Sequence, residues 1–150
     1  MTEYNFKKIL IATDGSEFTK AAVEHGLSLA KLSGGSVTAL YVLDQSVYSN
    51  TPASSAVVNI YETLSKEGNY ATGYIAERGR ELGIEVKEEI AEGVPSKVIS
   101  RLSEDFDIIV MGTLGRTGIS KLLMGSVAEK VIKESKCPVM VVRSSGQKKQ

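Results

Sequence analysis

Five short runs of apolar residues recur along the chain, separated by longer segments in which apolar residues follow three- and four-residue steps. The runs are KKILIAT from Lys7, SVTALYVLD from Ser36, IEVKEEIAEG from Ile84, DIIVMG from Asp107 and CPVMVVR from Cys137. Each run has the length of a strand, and the segments between them have the spacing of helices. Strands that alternate with helices predict right-handed βαβ crossovers and a parallel sheet covered on both faces.

The character of the runs predicts their order in the sheet. ILIA from Ile9 and IIVM from Ile108 are apolar at every position, as is typical of parallel strands buried on both faces. The third run alternates apolar and charged residues, which is typical of an edge strand. We therefore expect an α/β fold with an open, doubly wound, five-stranded parallel sheet of order 3-2-1-4-5, of the Rossmann-like type. That order leaves the apolar fifth run at the other edge, where it requires cover.

The second helical segment is the longest and carries one apolar stripe with two glycines in it: Val57, Tyr61, Leu64, Gly68, Ala71, Ile75, Gly79 and Leu82. A glycine weakens a helix interior by up to about 1 kcal/mol relative to alanine. The two glycines therefore predict a close approach of this helix to the sheet. The preceding residues 46–56 have loop composition and are expected to form a connection within one domain. We expect that domain to span residues 1–143, followed by a flexible tail at residues 144–150.

Composition and charge restrict the classes of partner and location. The chain has 150 residues, and its 18 lysine and arginine residues balance 18 aspartate and glutamate residues. A balanced charge gives no reason to expect nucleic acid or an acidic membrane as a partner. No apolar run approaches the roughly 20 residues that span a bilayer, and the N-terminus lacks the apolar core of a signal peptide. Since Cys137 is the only cysteine, a reducing, cytoplasmic location is expected.

The strand order also predicts where a ligand binds. In open α/β sheets ligands lie outside the carboxyl ends of the strands, at the switch point, which here falls between the first and fourth strands. The first strand ends in ATDGSE and the fourth in MGTLGRTG, so Asp14 and a glycine cluster should converge there. Backbone N–H groups at glycines, together with the N-terminus of a helix starting near Gly125, form an anion site. Phosphate is the expected ligand of this site.

The glycine spacing excludes the two best-known phosphate loops. The cluster does not contain G-x-x-x-x-G-K-[ST], and DGSEFT stands where a dinucleotide fingerprint should follow the first strand. What it does contain is G-x2-G-x9-G-S, formed by Gly112, Gly115, Gly125 and Ser126. With KKILIATDGSE, YVLD and KCPVMVVR, this pattern resembles the universal stress protein family over essentially the whole chain. The resemblance implies an adenine nucleotide α-hydrolase-like sheet of the order given above.

The resemblance also implies a ligand and the residues that bind it. Members with this motif bind ATP, and we expect Mg²⁺ or Mn²⁺ to accompany it. Gly112, Gly115, Gly125 and Ser126 would bind the triphosphate, and Asp14 would approach the ribose or a phosphate-bound metal. The backbone of Ala12 and Val42 would contact adenine. The remaining candidate neighbours of the nucleotide are Thr13, Met111, Arg116, Lys121 and Val127.

Simpler interpretations of these residues stay open. Gly112 and Gly115 are also explained as turn residues, and Asp14 and Ser126 as helix caps. The favoured function is an ATP-binding regulator or sensor in the stress response, homodimeric through Val139–Val142 and acting on an unidentified protein partner. One alternative is a slow ATPase or phosphotransferase, although no His, Glu or Gln near the glycine cluster stands out as the residue that would orient a nucleophile. The other is an interaction module without nucleotide.

Overall fold

The computed structural model describes residues 4–49, 55–115 and 124–144, in which strands and helices alternate as predicted. The elements are β1 (Lys8–Ala12), α1 (Lys20–Ser33), β2 (Ser36–Asp44), α2 (Ser55–Leu82), β3 (Val86–Gly93), α3 (Pro95–Leu102), β4 (Ile108–Gly112), α4 (Ser126–Glu134) and β5 (Val139–Val142). Short 3-10 turns follow β1 at Glu17–Thr19, β2 at Gln45–Val47 and α3 at Ser103–Asp105.

The sheet is parallel, and its order β3-β2-β1-β4-β5 confirms the prediction. In the central strand β1, Ile9 lies opposite Val37 of β2 on one side and Ile108 of β4 on the other. The interior of β1 is fully buried, because helices cover both faces of the sheet. The strand β3 lies at the edge of the sheet as predicted, but its exposure does not alternate, since the consecutive residues Lys87 and Glu88 are both exposed.

Successive side chains of β1 point to opposite faces and build two cores. Ile9 and Ile11 pack with Val23 and Leu27 of α1 and with Ile75 of α2. On the other face, Leu10 packs with residues of α3 and α4, among them Ile99 and Val131. The carboxyl ends of β1, β2 and β4 therefore open between two layers of helices.

The predicted close approach of α2 is confirmed at both glycines. A Cβ atom added to Gly68 would lie 2.7 Å from Cδ1 of Tyr41, and one added to Gly79 would overlap Cγ2 of Val86. Glycine is therefore required where the helix rests on β2 and β3. The helix begins at Ser55, inside the segment predicted as a loop, and residues 50–54 of that segment lie outside the described residues.

The C-terminal end of the described chain packs against the protein. Ser144, the first residue of the predicted tail, is 7% exposed, and residues 145–150 lie outside the described part of the chain. Among the residues that the structure describes, no helix combines the length and apolar character needed to cross a membrane.

The contacts of α2 predict opposite effects for two glycine-to-alanine substitutions. Gly68→Ala should lower the free energy of unfolding by roughly 1–3 kcal/mol, because the added methyl group overlaps the buried ring of Tyr41. Gly73→Ala is the matched control, since the nearest atom to its Cβ is Oε1 of Glu88 at 3.9 Å. It should stabilise the helix by up to about 1 kcal/mol. Urea unfolding measures both, and changes of the same sign would contradict this packing.

Candidate functional site

A cavity of about 330 Å³ opens at the carboxyl ends of β1, β2 and β4. It lies at the switch point, and the two segments expected to converge there do so. Among the predicted site residues, those that line it are Ala12, Thr13, Asp14, Val42, Met111, Gly112, Gly115, Gly125, Ser126 and Val127. The predicted phosphate neighbours Arg116 and Lys121 lie outside the described residues. The described residues thus bring together every predicted candidate that they include.

Asp14 and Gly115 meet at one end of the cavity. Oδ1 of Asp14 accepts a hydrogen bond from the backbone N–H of Ser16 at 2.9 Å. Oδ2 lies 2.8 Å from the position that a Cβ atom of residue 115 would occupy. Glycine at position 115 therefore allows the chain after β4 to approach the carboxylate. Asp14 has a turn-forming role through one oxygen, while its other oxygen faces Gly115 in the segment of residues 113–115, which we call the glycine loop.

Gly112 has a packing role that its motif does not reveal. A Cβ atom at this last residue of β4 would lie 3.1 Å from the carbonyl oxygen of Phe18 and 3.7 Å from Cα of Thr19. The absence of a side chain therefore lets the turn Glu17–Thr19 rest against β4. This contact joins the segment that carries Asp14 to the strand that precedes the glycine loop.

The N-terminus of α4 forms another wall of the cavity. Gly125 is the N-cap of this helix, and its own N–H donates to the carbonyl of Thr113 at 2.6 Å. Its amide is therefore engaged by the backbone, and a contact of Gly125 with a triphosphate stays a prediction. Ser126 is the first residue of the helix rather than its cap. The N–H groups of Ser126 and Val127 have no acceptor within the helix, and they lie at the positive end of its dipole.

The turn after β2 also lines the cavity, through two residues that are not among the predicted site residues, Asp44 and Val47. Oδ1 of Asp44 accepts from the backbone N–H of Ser46 at 3.0 Å and from its hydroxyl at 2.7 Å. This bonding holds the turn Gln45–Val47, whose Val47 lines the cavity. The motif YVLD includes Asp44, but the hydrogen bonds that give it this role depend on the conformation of the turn.

Tyr48 ties the same turn to two other elements. Its hydroxyl donates to the carboxylate of Glu92 in β3, and its ring packs edge-on against Tyr61 of α2, with ring centroids 6.2 Å apart. Burial and the Glu92 carboxylate raise the pKa of Tyr48 to about 12. The phenol is therefore a neutral hydrogen-bond donor at physiological pH. These contacts join residues far apart in sequence, which explains why no local pattern predicts them.

The charges of the cavity have one sign in the part that the structure describes. Its described lining includes the carboxylates of Asp14 and Asp44 and no lysine or arginine. Within residues 4–49, 55–115 and 124–144, no group of three or more His, Cys, Asp or Glu side chains could hold a metal ion. An anionic ligand would therefore be met here by backbone N–H groups and the α4 dipole.

Comparison with known proteins identifies the family. The model of the Universal stress protein family matches residues 5–143. This chain belongs to the universal stress protein family. Its relative Universal stress protein MJ0531 from Methanocaldococcus jannaschii is 41% identical over 140 residues, which cover 92% of this chain and 82% of the relative.

Solved universal stress protein structures share the fold. The structure of the MJ0577 protein has a TM-score of 0.80 at 34% sequence identity, with 91% of this chain and 95% of that chain covered. The structure of the Arabidopsis thaliana family member with AMP bound has a TM-score of 0.69 at 19% identity, covering 96% of each chain. The fold described above is thus shared with these solved structures.

The turn at Asp14 generates a prediction about stability in the absence of ligand. Asp14→Ala should lower the free energy of unfolding by about 1 kcal/mol, because the N–H of Ser16 loses its acceptor. Asp14→Asn keeps an oxygen at the position of Oδ1 and should retain most of that stability. Thermal unfolding of the ligand-free variants measures the difference. If the alanine and asparagine variants are equally destabilised, the hydrogen bond to Ser16 is not the stabilising contact.

Proposed function

We propose that this universal stress protein binds ATP in the cavity and acts as a nucleotide-dependent regulator or sensor in the stress response. The observation that carries the proposal is the convergence of Asp14 and Gly115 beside the N-terminus of α4, at the edge of a cavity of about 330 Å³. The carboxylate of Asp14 can accept hydrogen bonds from hydroxyl groups of a ligand, and the N–H groups at the start of α4 can donate to its phosphates. The glycine at position 115 leaves room for the ligand to approach the backbone. The cytoplasmic location expected from the sequence stays a prediction.

The lining of the cavity includes apolar side chains as well as the backbone at the start of α4. Leu40, Val42, Ile99 and Met111 offer aliphatic and thioether surface, which suits the flat face of an adenine base. The N–H groups at the start of α4 suit the phosphates. The AMP-bound structure of the Arabidopsis family member supports an adenine nucleotide as the class of ligand.

The negative charge of the cavity supports a divalent cation as part of the ligand. Asp14 and Asp44 would repel an uncompensated triphosphate. Mg²⁺ is commonly held by one or two carboxylates together with substrate phosphates, and the described residues offer a single carboxylate, Asp14, beside the glycine loop. Bound Mg²⁺, or Mn²⁺ in its place, would supply the positive charge that the described lining lacks. Asp14 is the residue that would hold it.

We propose binding rather than turnover as the activity of this site. Phosphoryl transfer requires a residue that orients the nucleophile and cations placed on the transferring group. Among the described residues that line the cavity, none is His, Glu, Gln, Lys or Arg. A release of phosphate from Mg-ATP above the level of a Gly115→Val variant would instead support the slow ATPase.

Titration calorimetry with Mg-ATP tests the proposed ligand. The wild-type protein should bind, and Gly115→Val should weaken binding at least tenfold, because the branched side chain would displace the Asp14 carboxylate and block approach to the loop. Gly73→Val makes the same substitution in α2, away from the cavity, and should bind like the wild type. If the folded Gly115→Val protein binds ATP with unchanged affinity, this site is not the nucleotide site.

We also propose that the protein is a homodimer joined through β5. The carbonyls of Pro138 and Val142 accept from the N–H groups of Ile109 and Thr113, so these positions face β4. The backbone groups of the alternate residues Val139 and Val141 therefore point to the free edge of the sheet. Pairing with the same strand of a second copy about a two-fold axis would satisfy both edges.

A proline at Val141 tests this interface, with an alanine control for the loss of a side chain that packs partly against the core of its own chain. Val142 is buried in the core of its own chain, so a charge there would unfold the protein. Val141→Pro instead removes one outward-facing donor at an edge, where proline is tolerated. Sedimentation equilibrium at micromolar concentration should show a wild-type dimer, a dimeric Val141→Ala control and a shift of Val141→Pro toward monomer. A monomeric wild type, or a fully dimeric proline variant, would exclude the interface.

A further inference from the structure

We propose that Thr19 is a positioning residue whose hydroxyl, acting through Thr13, fixes Asp14 for nucleotide binding. The inference rests on the proposed function and concerns a residue outside the glycine motif. Thr19 ends the 3-10 turn after β1, lines the cavity and is 5% exposed. Its role follows from the hydrogen bonds that surround Asp14.

Counting protons fixes the direction of these hydrogen bonds. The hydroxyl of Thr19 donates to the carbonyl of Ser16 at 2.9 Å, which uses its only proton. The bond of 3.0 Å between the hydroxyls of Thr19 and Thr13 is therefore donated by Thr13. Thr13 in turn accepts from the backbone N–H of Gly15 at 3.0 Å. A chain of three hydrogen bonds runs from Gly15 through Thr13 and Thr19 to Ser16.

This chain closes around Asp14. The bonded backbone groups belong to Gly15 and Ser16, the two residues that follow Asp14, and the N–H of Ser16 also holds Oδ1 of Asp14. Gly15 adopts a φ of +82°, a conformation that side chains disfavour, so glycine at this position permits the turn that brings these hydrogen-bonding groups together. The conformation of the carboxylate is thereby coupled to the two threonine hydroxyls.

The position of Thr19 also links Asp14 to the glycine loop. The backbone of Thr19 packs on Gly112, where an added Cβ would lie 3.7 Å from its Cα. The backbone N–H of Thr13 donates to the carbonyl of Leu40 at 2.9 Å, which anchors the same segment to β2. Thr19 is thus held between β1 and β4, and its hydrogen bonds connect these strands to the turn that carries the carboxylate of Asp14.

Removing the hydroxyl of Thr19 should therefore weaken the affinity for the nucleotide more than it alters the packing of the core. Thr19→Val keeps the branched shape but leaves the hydroxyl proton of Thr13 without its buried acceptor, while the carbonyl of Ser16 retains only its bond of 3.2 Å from the backbone N–H of Thr19. The loop would relax to find other partners, and Asp14 would move with it. Thr19→Ser keeps the hydroxyl and should restore the chain of hydrogen bonds.

A double-mutant cycle measured by titration with Mg-ATP tests the proposal. Thr19→Val should weaken binding about tenfold, and Thr19→Ser should recover affinity to within about threefold of the wild type. In an Asp14→Ala background, Thr19→Val should cause no further loss, because its effect passes through the carboxylate. If Thr19→Val does not fold, Thr13→Val breaks the same chain and is expected to give the same pattern. An unchanged affinity, or a loss that is additive with Asp14→Ala, would overturn the assignment.

Amide hydrogen exchange separates this proposal from the proposed function. In ligand-free protein, Thr19→Val should reduce the protection of the Gly15 and Ser16 amides at least tenfold, with Thr19→Ser close to the wild type. Unchanged protection would overturn the positioning role even if the wild type binds ATP. A wild type that binds no ATP would overturn the proposed function, while lost protection would still show that Thr19 fixes the loop.

Discussion

The site depends on the pairing of β1 with β2 on one side and β4 on the other. This central position brings the residues that follow β1 beside those that follow β4, although the two segments are far apart in the chain. The pairing is stabilised by burial on both faces, because the side chains of Ile9, Leu10 and Ile11 are fully removed from solvent. The convergence of Asp14 and Gly115 follows from this arrangement. A shift in strand order would separate them completely.

Three glycines allow neighbouring elements to pack closely around this sheet. Gly68 lets α2 rest on the ring of Tyr41, Gly112 lets the turn after β1 rest on β4, and Gly115 admits the carboxylate of Asp14. Thr113 connects these contacts to the edge of the sheet, since its N–H donates to Val142 and its carbonyl accepts from Gly125. Two backbone hydrogen bonds of Thr113 thus connect the strand proposed as the dimer interface to the N-cap of α4.

The fold and the place of the site could be predicted from local patterns, whereas the roles of individual residues could not. Continuous apolar runs at β1 and β4 and alternation at β3 reveal burial, and burial determines the strand order. The glycine spacing indicates that the backbone makes close contacts, but it does not distinguish a bound ligand from another segment of the chain. For Gly112 the neighbour is the chain itself, and the amide of Gly125 is already bonded to Thr113. Thr19 has no sequence signal, because its function depends on three hydrogen bonds that only the folded turn creates.

We propose that one nucleotide contacts both the segment after β1 and the start of α4. This is tested by a titration of isotope-labelled protein with Mg-ATP, followed through its backbone amide resonances. The amides of Gly15, Ser16, Gly115, Ser126 and Val127 should shift together with one dissociation constant, while that of Gly34, at the opposite end of the sheet, stays unchanged. Shifts confined to one of the two segments, or no shifts in either, would contradict the account.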